Sequence, residues 1–222
     1  MQYRFPEALA RFPSQQFYEG RLKTGTKVDP IQQVILQKFS FPWPVDQAAK
    51  LIPNVFVQCS TPEDYGRASK GNLGQVELVA HIIKLLTTLK IEGTSEGLDD
   101  EGVIPPEIAV LSPYSRQVKD LKGRLPSSIT VSTIDGFQGR ESDIVVFTTV
   151  RSNINGELGF VDNPRRLNVA WTRARWARIV IGDKGTLSMN SELWRRAIAD
   201  GREVVIEVPE KEEPEHGHGQ KK

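Results

Sequence analysis

One cysteine, two methionines and three histidines are all that this 222-residue chain offers of sulfur and imidazole ligands. The lone thiol, Cys59, excludes an internal disulfide framework and a cysteine-rich zinc site. It follows the apolar run Val55-Phe56-Val57 and reads as a small core residue. No apolar run reaches the roughly 18 residues of a membrane helix. The opening Met1-Gln2-Tyr3-Arg4-Phe5-Pro6 has no apolar signal core. These absences point to an intracellular protein, in cytoplasm or nucleus, with no membrane partner. An excess of one charge is missing too: 29 Lys and Arg stand against 28 Asp and Glu, for a net +1. Charge is therefore silent on nucleic acid, because a few local contacts suffice to grip a strand.

What is present is an ordinary globular composition, 38% hydrophobic and 26% charged, at a length suited to one large α/β domain. We place that domain at 1–208. Residues 1–50 look irregular, with Phe41-Pro42-Trp43-Pro44 as an extended connector. The acidic, Gly-rich segment from Glu92 to Pro106 reads as a mobile loop, and the charged tail 209–222 as disordered. His216 and His218 in that tail are no more than a weak metal-binding possibility, so no metal site is expected. No internal repeat is evident.

Between these regions the pattern alternates. Leu78, Ile82, Ile83 and Leu86 recur at helical spacing and predict a helix over Leu73–Lys90, with Asn72 as N-cap. The apolar run 107–111 predicts a buried strand, followed by a helix at Ser115–Arg124 and a strand at Ile129–Ser132. A turn holding Gly136 and Gly139 leads to a strand at Ile144–Phe147. A helix over Arg165–Arg175, a strand at Ile179–Ile181, a helix at Glu192–Asp200 and a strand at Val204–Ile206 complete the series. Apolar strands alternating with helices indicate a doubly wound, mostly parallel sheet with helices on both faces. Ligands of such sheets gather at the strand carboxyl ends.

Three segments carry candidate chemistry. Val131 to Glu141 offers hydroxyls, an amide and two glycines, which suit close approach of phosphate oxygens; it is also readable as a tight structural turn. Asn163 to Arg175 puts Leu167, Ala170, Trp171 and Ala174 on one helical stripe. Arg166 and Arg173, seven apart, then share a face that could reach phosphate or simply lie in solvent. Gln2-Tyr3-Arg4 says nothing alone.

In this order the segments resemble the late motifs of superfamily 1 helicases, in the group of the nonsense-mediated-decay helicase and senataxin. Gln2-Tyr3-Arg4 with Phe12 to Gly20 resembles the opening of that family's second motor domain. Ala109 to Tyr114 with Gln117 resembles motif IV, Ser132 to Glu141 motif V, and Arg165 to Arg175 motif VI. The resemblance implies a RecA-like domain of the P-loop NTPase type that faces ATP, with Mg²⁺, across an interdomain cleft. It makes Arg173 an arginine finger, Arg4 a second γ-phosphate contact, Tyr3 the base-stacking aromatic, and Glu141 with Gly139 nucleotide contacts. Ser112, Pro113, Tyr114, Ser132 and Thr133 fall on the nucleic-acid track, and Gln138 and Arg166 on the coupling path between the two. The implied partners are single-stranded RNA or DNA and an upstream RecA-like domain. Two departures stand out. The family's Met-His-Pro after the first motif is replaced by Phe5-Pro6-Glu7, and Trp171 replaces a smaller residue and is expected to pack inward.

No Gly-x-x-x-x-Gly-Lys-Ser/Thr phosphate loop occurs in the sequence, nor the acidic strand end that accompanies it. We therefore expect a fragment or split product without ATPase activity of its own. The alternative is a degenerate helicase domain serving as a nucleic-acid-binding or protein scaffold. An independent nuclease is disfavoured by the lack of clustered His, Asp and Glu.

Overall fold

Strands that are apolar on both faces must be covered twice, and this chain does so with seven helices among the described residues. The computed structural model describes residues 1–25, 30–64, 69–90 and 105–208. In chain order the elements are α1 (Glu7–Phe17), α2 (Pro30–Lys38), β1 (Asn54–Gln58), α3 (Leu73–Thr87), β2 (Ile108–Ser112), α4 (Ser115–Arg124), β3 (Thr130–Thr133), β4 (Ser142–Thr148), α5 (Pro164–Trp171), β5 (Ala174–Gly182), α6 (Lys184–Met189), α7 (Glu192–Ala199) and β6 (Arg202–Val204). Short 3₁₀ turns lie at Asp135–Phe137 and Gly159–Asp162.

The six strands form one sheet of order β3-β2-β4-β5-β1-β6, and every pairing is parallel. Side chains alternate between its faces. Ala109, Leu111, Val145, Phe147 and Val180 join Trp171 and Trp194 on one face, beneath α1, α5 and α7. Val110, Ile144, Val146, Ile179 and Ile181 join Ile82, Leu86 and Leu121 on the other, beneath α3 and α4. The predicted doubly wound α/β fold is the fold observed.

Several local expectations hold. Asn72 caps α3 by accepting from the Gln75 backbone N–H at 3.0 Å. Cys59 is buried and free, and Trp171 packs inward at 1% exposure. Two expectations do not hold. The opening fifty residues are not irregular throughout: α1 and α2 lie there. The interior Pro13 removes one helical bond from α1, yet Phe12 anchors that helix against Trp171 at a ring distance of 5.9 Å. Nor does a helix run over Arg165–Arg175. It stops at Trp171, and β5 begins at Ala174. Most of the expected loop (91–104) and the tail (209–222) lie outside the described residues.

Because the strands are parallel, the chain crosses back over the sheet after each one. Two crossings carry the residues singled out from the sequence. Residues 134–141 return from the carboxyl end of β3 to the amino end of β4. Helix α5 returns from the carboxyl end of β4 to the amino end of β5.

Candidate nucleotide and nucleic-acid site

At the amino ends of β4 and β5, three segments distant in sequence converge. Gln2 organises the first. Its Oε1 accepts from the backbone N–H groups of Arg4 (2.7 Å) and Phe5 (3.1 Å), while its Nε2 donates to Phe5 O (2.7 Å) and Thr24 Oγ1 (2.5 Å). Phe5 plugs the core at 2% exposure and Pro6 caps α1, so Phe5-Pro6-Glu7 gives the segment a firm seat. Tyr3 is 73% exposed, and its ring lies so close to Gly25 that a Cβ there would stand 2.3 Å from it. Arg4 donates from Nε to Glu141 Oε2 (2.5 Å) and from Nη1 to the Thr172 carbonyl (2.9 Å).

Glu141 immediately precedes β4 and also faces Arg175 at 3.6 Å. Arg173 occupies the bend between α5 and β5. It donates to Val169 O (2.9 Å), Arg140 O (3.2 Å) and Thr172 Oγ1 (3.0 Å). Among the described residues no carboxylate pairs with it. Partial burial pushes its pKa down, and the like charge of Arg4 adds to the shift, against the pull of Glu141 and Tyr18. Two guanidiniums thus stand together with one carboxylate near both. Gly139 holds a left-handed φ of +81° with open space around it, and Gln138 beside it is exposed.

The other expected residues gather at the carboxyl ends of β2 and β3. Pro113, Ser132 and Thr133 are half-buried there, and Thr133 Oγ1 accepts from the Gly136 backbone N–H at 3.1 Å. Ser112 and Tyr114 were expected on a track, but their side chains are inside the protein, at 0% and 3% exposure. The reason is packing. Ser112 Oγ accepts from the Tyr114 backbone N–H (3.4 Å), and the Tyr114 hydroxyl donates to Leu158 O (3.4 Å). Arg166, in the first turn of α5, donates to both oxygens of Asp135 at 3.3 and 2.9 Å.

Arg166 and Arg173 therefore do not share a helical face, as the expected long helix would require. They stand at opposite ends of the sheet, because α5 spans it. The crossing at 134–141 spans it in parallel. The two are joined at one end by Arg166 to Asp135 and at the other by Arg173 to the Arg140 carbonyl.

Sequence reasoning missed the buried charges. Arg178, at 0% exposure, donates to Asn54 Oδ1 (3.1 Å) and to Trp171 O (2.8 Å), the last residue of α5. Arg151 and Glu63 pair at 2.9 Å beneath the carboxyl end. A lone arginine inside the apolar strand 177–181 was the available signal. Among the described residues no group of three or more His, Cys, Asp or Glu is placed to hold a metal. None of the described helices is long and apolar enough to cross a membrane.

Comparison with known proteins identifies the family. Residues 1–185 match the AAA domain family. The chain is 33% identical over 221 residues to a regulator of nonsense transcripts 1 homolog of Arabidopsis thaliana, covering 94% of this chain and 16% of that protein. The chain belongs to the superfamily 1 helicases. It is also 32% identical to the probable helicase MAGATAMA 3 of the same plant, covering 93% of this chain and 25% of that protein. The ATP-dependent helicase NAM7 of Saccharomyces cerevisiae is 31% identical, over 91% of this chain and 20% of its own length. The chain thus spans a quarter or less of the length of these helicases.

Proposed function

We propose that this domain is the second motor domain of an ATP-dependent helicase and that Arg173 is its arginine finger. One observation carries the reading: Arg4 and Arg173 converge on Thr172, Arg4 donating to its carbonyl at 2.9 Å and Arg173 to its hydroxyl at 3.0 Å, and Arg173 has no carboxylate partner among the described residues. Two guanidiniums that share a single nearby carboxylate carry a net positive charge and are well matched to a polyphosphate. The residues at hand fit a nucleoside triphosphate. Tyr3 presents an exposed ring for the base, Arg4 and Arg173 present forks for the γ-phosphate, and Glu141 and the open backbone at Gly139 border them. Bound Mg²⁺·ATP would supply the phosphoanhydride bond whose hydrolysis powers movement. Its primary cradle belongs to an upstream RecA-like domain, since this sequence has no phosphate loop.

At the opposite end, Pro113, Ser132 and Thr133 form part of a track for single-stranded RNA or DNA, gripped through sugar and phosphate with little sequence preference. The crossing at 134–141, with Gln138, and helix α5, with Arg166, connect track and nucleotide. The setting is intracellular, in cytoplasm or nucleus.

The test is nucleic-acid-stimulated ATP hydrolysis by the chain combined with a first motor domain, against each half alone and against Arg173→Ala. Only the wild-type pair should turn over, and the variant should lose about 10³-fold or more. A pair that binds single strands without hydrolysis would instead mark a scaffold. Turnover by the isolated chain, abolished by Arg173→Ala, would refute the assignment to an incomplete motor.

A further inference from the structure

Phe160 is a large aromatic left 52% exposed on a rigid mount. It sits in the 3₁₀ turn Gly159–Asp162, just before α5. The preceding Gly159 has φ +56°, and a Cβ there would lie 2.9 Å from Arg151 Nη1 and 3.0 Å from the Tyr114 hydroxyl. The turn is therefore pressed onto the buried Tyr114–Arg151–Glu63 group, whose charged pair is closed at 2.9 Å. From the side, the Tyr114 ring meets Phe160 at 5.7 Å with a 44° tilt. The Arg166 guanidinium lies 5.1 Å from the Phe160 ring centroid while its nitrogens hold Asp135. An exposed aromatic is usually mobile at its surface, whereas this one is braced below by a buried ion pair and beside by a cation.

Its location matters as much. Phe160 lies between two segments placed on the candidate track: Tyr114 follows Pro113, and Asp135 follows Thr133 and Ile134. Arg165, next in the first turn of α5, is exposed and has no ion-pair partner among the described residues. With one face covered by the Arg166 guanidinium and about half of its surface still exposed, the ring beside the unspent charge of Arg165 matches the two halves of a nucleotide, a flat base and a phosphate.

We infer that Phe160, braced by Arg166 and Tyr114, is a base-stacking residue of the single-strand track, with Arg165 meeting the adjoining phosphate. This rests on the proposed track at the carboxyl ends of β2 and β3. It adds a contact to the base where the hydroxyl-bearing residues would touch only the backbone. It also links strand occupancy to α5, since Arg166 is shared between the ring and Asp135.

The experiment is binding of the whole chain to a short single-stranded oligonucleotide and to an abasic sugar–phosphate oligomer of the same length, across a salt series. Phe160→Ala should weaken the normal oligonucleotide roughly 5- to 100-fold, leave the abasic one unchanged, and keep the salt slope. Phe160→Trp should restore binding, and Arg165→Ala should lower the salt slope by about one with both oligomers. Equal weakening of both oligomers by Phe160→Ala would show a merely structural role and overturn the inference. So would unchanged binding, which would leave the exposed ring free for a protein contact instead. If wild type binds neither oligomer, the track reading itself fails, an outcome distinct from wild-type binding that Phe160→Ala does not alter.

Discussion

Replacing Arg178 by methionine probes what fixes the end of α5 from which Arg173 projects. The guanidinium is wholly buried, bonds Asn54 Oδ1 at 3.1 Å and Trp171 O at 2.8 Å, and sits 4.8 Å from the Trp171 ring centroid. Burial pulls its pKa down to about 9, and Asp200, 3.8 Å away, opposes the shift, so it remains charged at neutral pH. Hydrogen bonds of a charged group are worth about 1.5–3 kcal/mol each, and the orphaned Trp171 carbonyl would cost a further 1–3. Two effects reduce the loss. Methionine removes a desolvation penalty of several kcal/mol. Asp200 also keeps Arg11 at 2.7 Å and the Asn54 amide at 2.8 Å. The expected net loss is about 2–4 kcal/mol, which for a domain of this size lowers Tm by roughly 4–16 °C. Urea titration and thermal circular dichroism measure both quantities. A variant within about 0.5 kcal/mol of wild type would refute the view that Arg178 holds the sheet to α5.

Two further outcomes follow from local geometry. Asp183 caps α6; burial raises its pKa, but hydrogen bonds from Thr186, Gln58, Ser152 and the Gly185 backbone outweigh this and hold it below the ordinary 3.8. A depressed carboxylate stabilises above its unfolded pKa and loses that contribution as pH falls through the folded one. The stability gap between wild type and Asp183→Asn should thus be full at about pH 6 and shrink below about pH 4, and a gap that stays constant in acid would contradict it. Gly139→Ala meets no atom within 4 Å, so its cost should be the left-handed φ of +81° alone, about 1–2 kcal/mol by urea titration. A neutral result would mean that the bend relaxes freely.

Five of the six strands were legible because they are short apolar runs set off by polar turns, whereas β1 was noticed only as an apolar run beside Cys59; α4 was legible to the residue, Ser115–Arg124. The end of α5 was not. Leu167, Ala170, Trp171 and Ala174 keep helical spacing by coincidence, and no Gly or Pro follows Trp171 to break it. What stops the helix is chemistry invisible to periodicity. Thr172 Oγ1 donates back to Asn168 O at 2.8 Å, the Arg173 side chain donates to Val169 O at 2.9 Å, and Ala174 is claimed by Ser142 across the sheet. The helices α1 and α2 escaped notice for a related reason. Pro13 argues against the first, and the second buries a single residue, Leu36. The candidate site divides the same way: the motifs marked the segments, but burial of Ser112 and Tyr114 is a property of the packed fold.

That early end of α5 changes the argument about Arg166 and Arg173. On one helical face they would compete for a single phosphate. Standing at and just beyond opposite ends of an eight-residue helix they are too far apart to share one, and any shift of α5 along its axis moves both. The neighbouring crossing at 134–141 cannot slide independently, because Asp135 is tied to Arg166 and the Arg140 carbonyl to Arg173. Arg178 then fixes where the pair rests, through the Trp171 carbonyl at the foot of the helix. If the proposed function holds, nucleotide contacts at Arg173 and strand contacts at Phe160 and Arg166 pull on one mechanical unit whose two connections are lashed at each end.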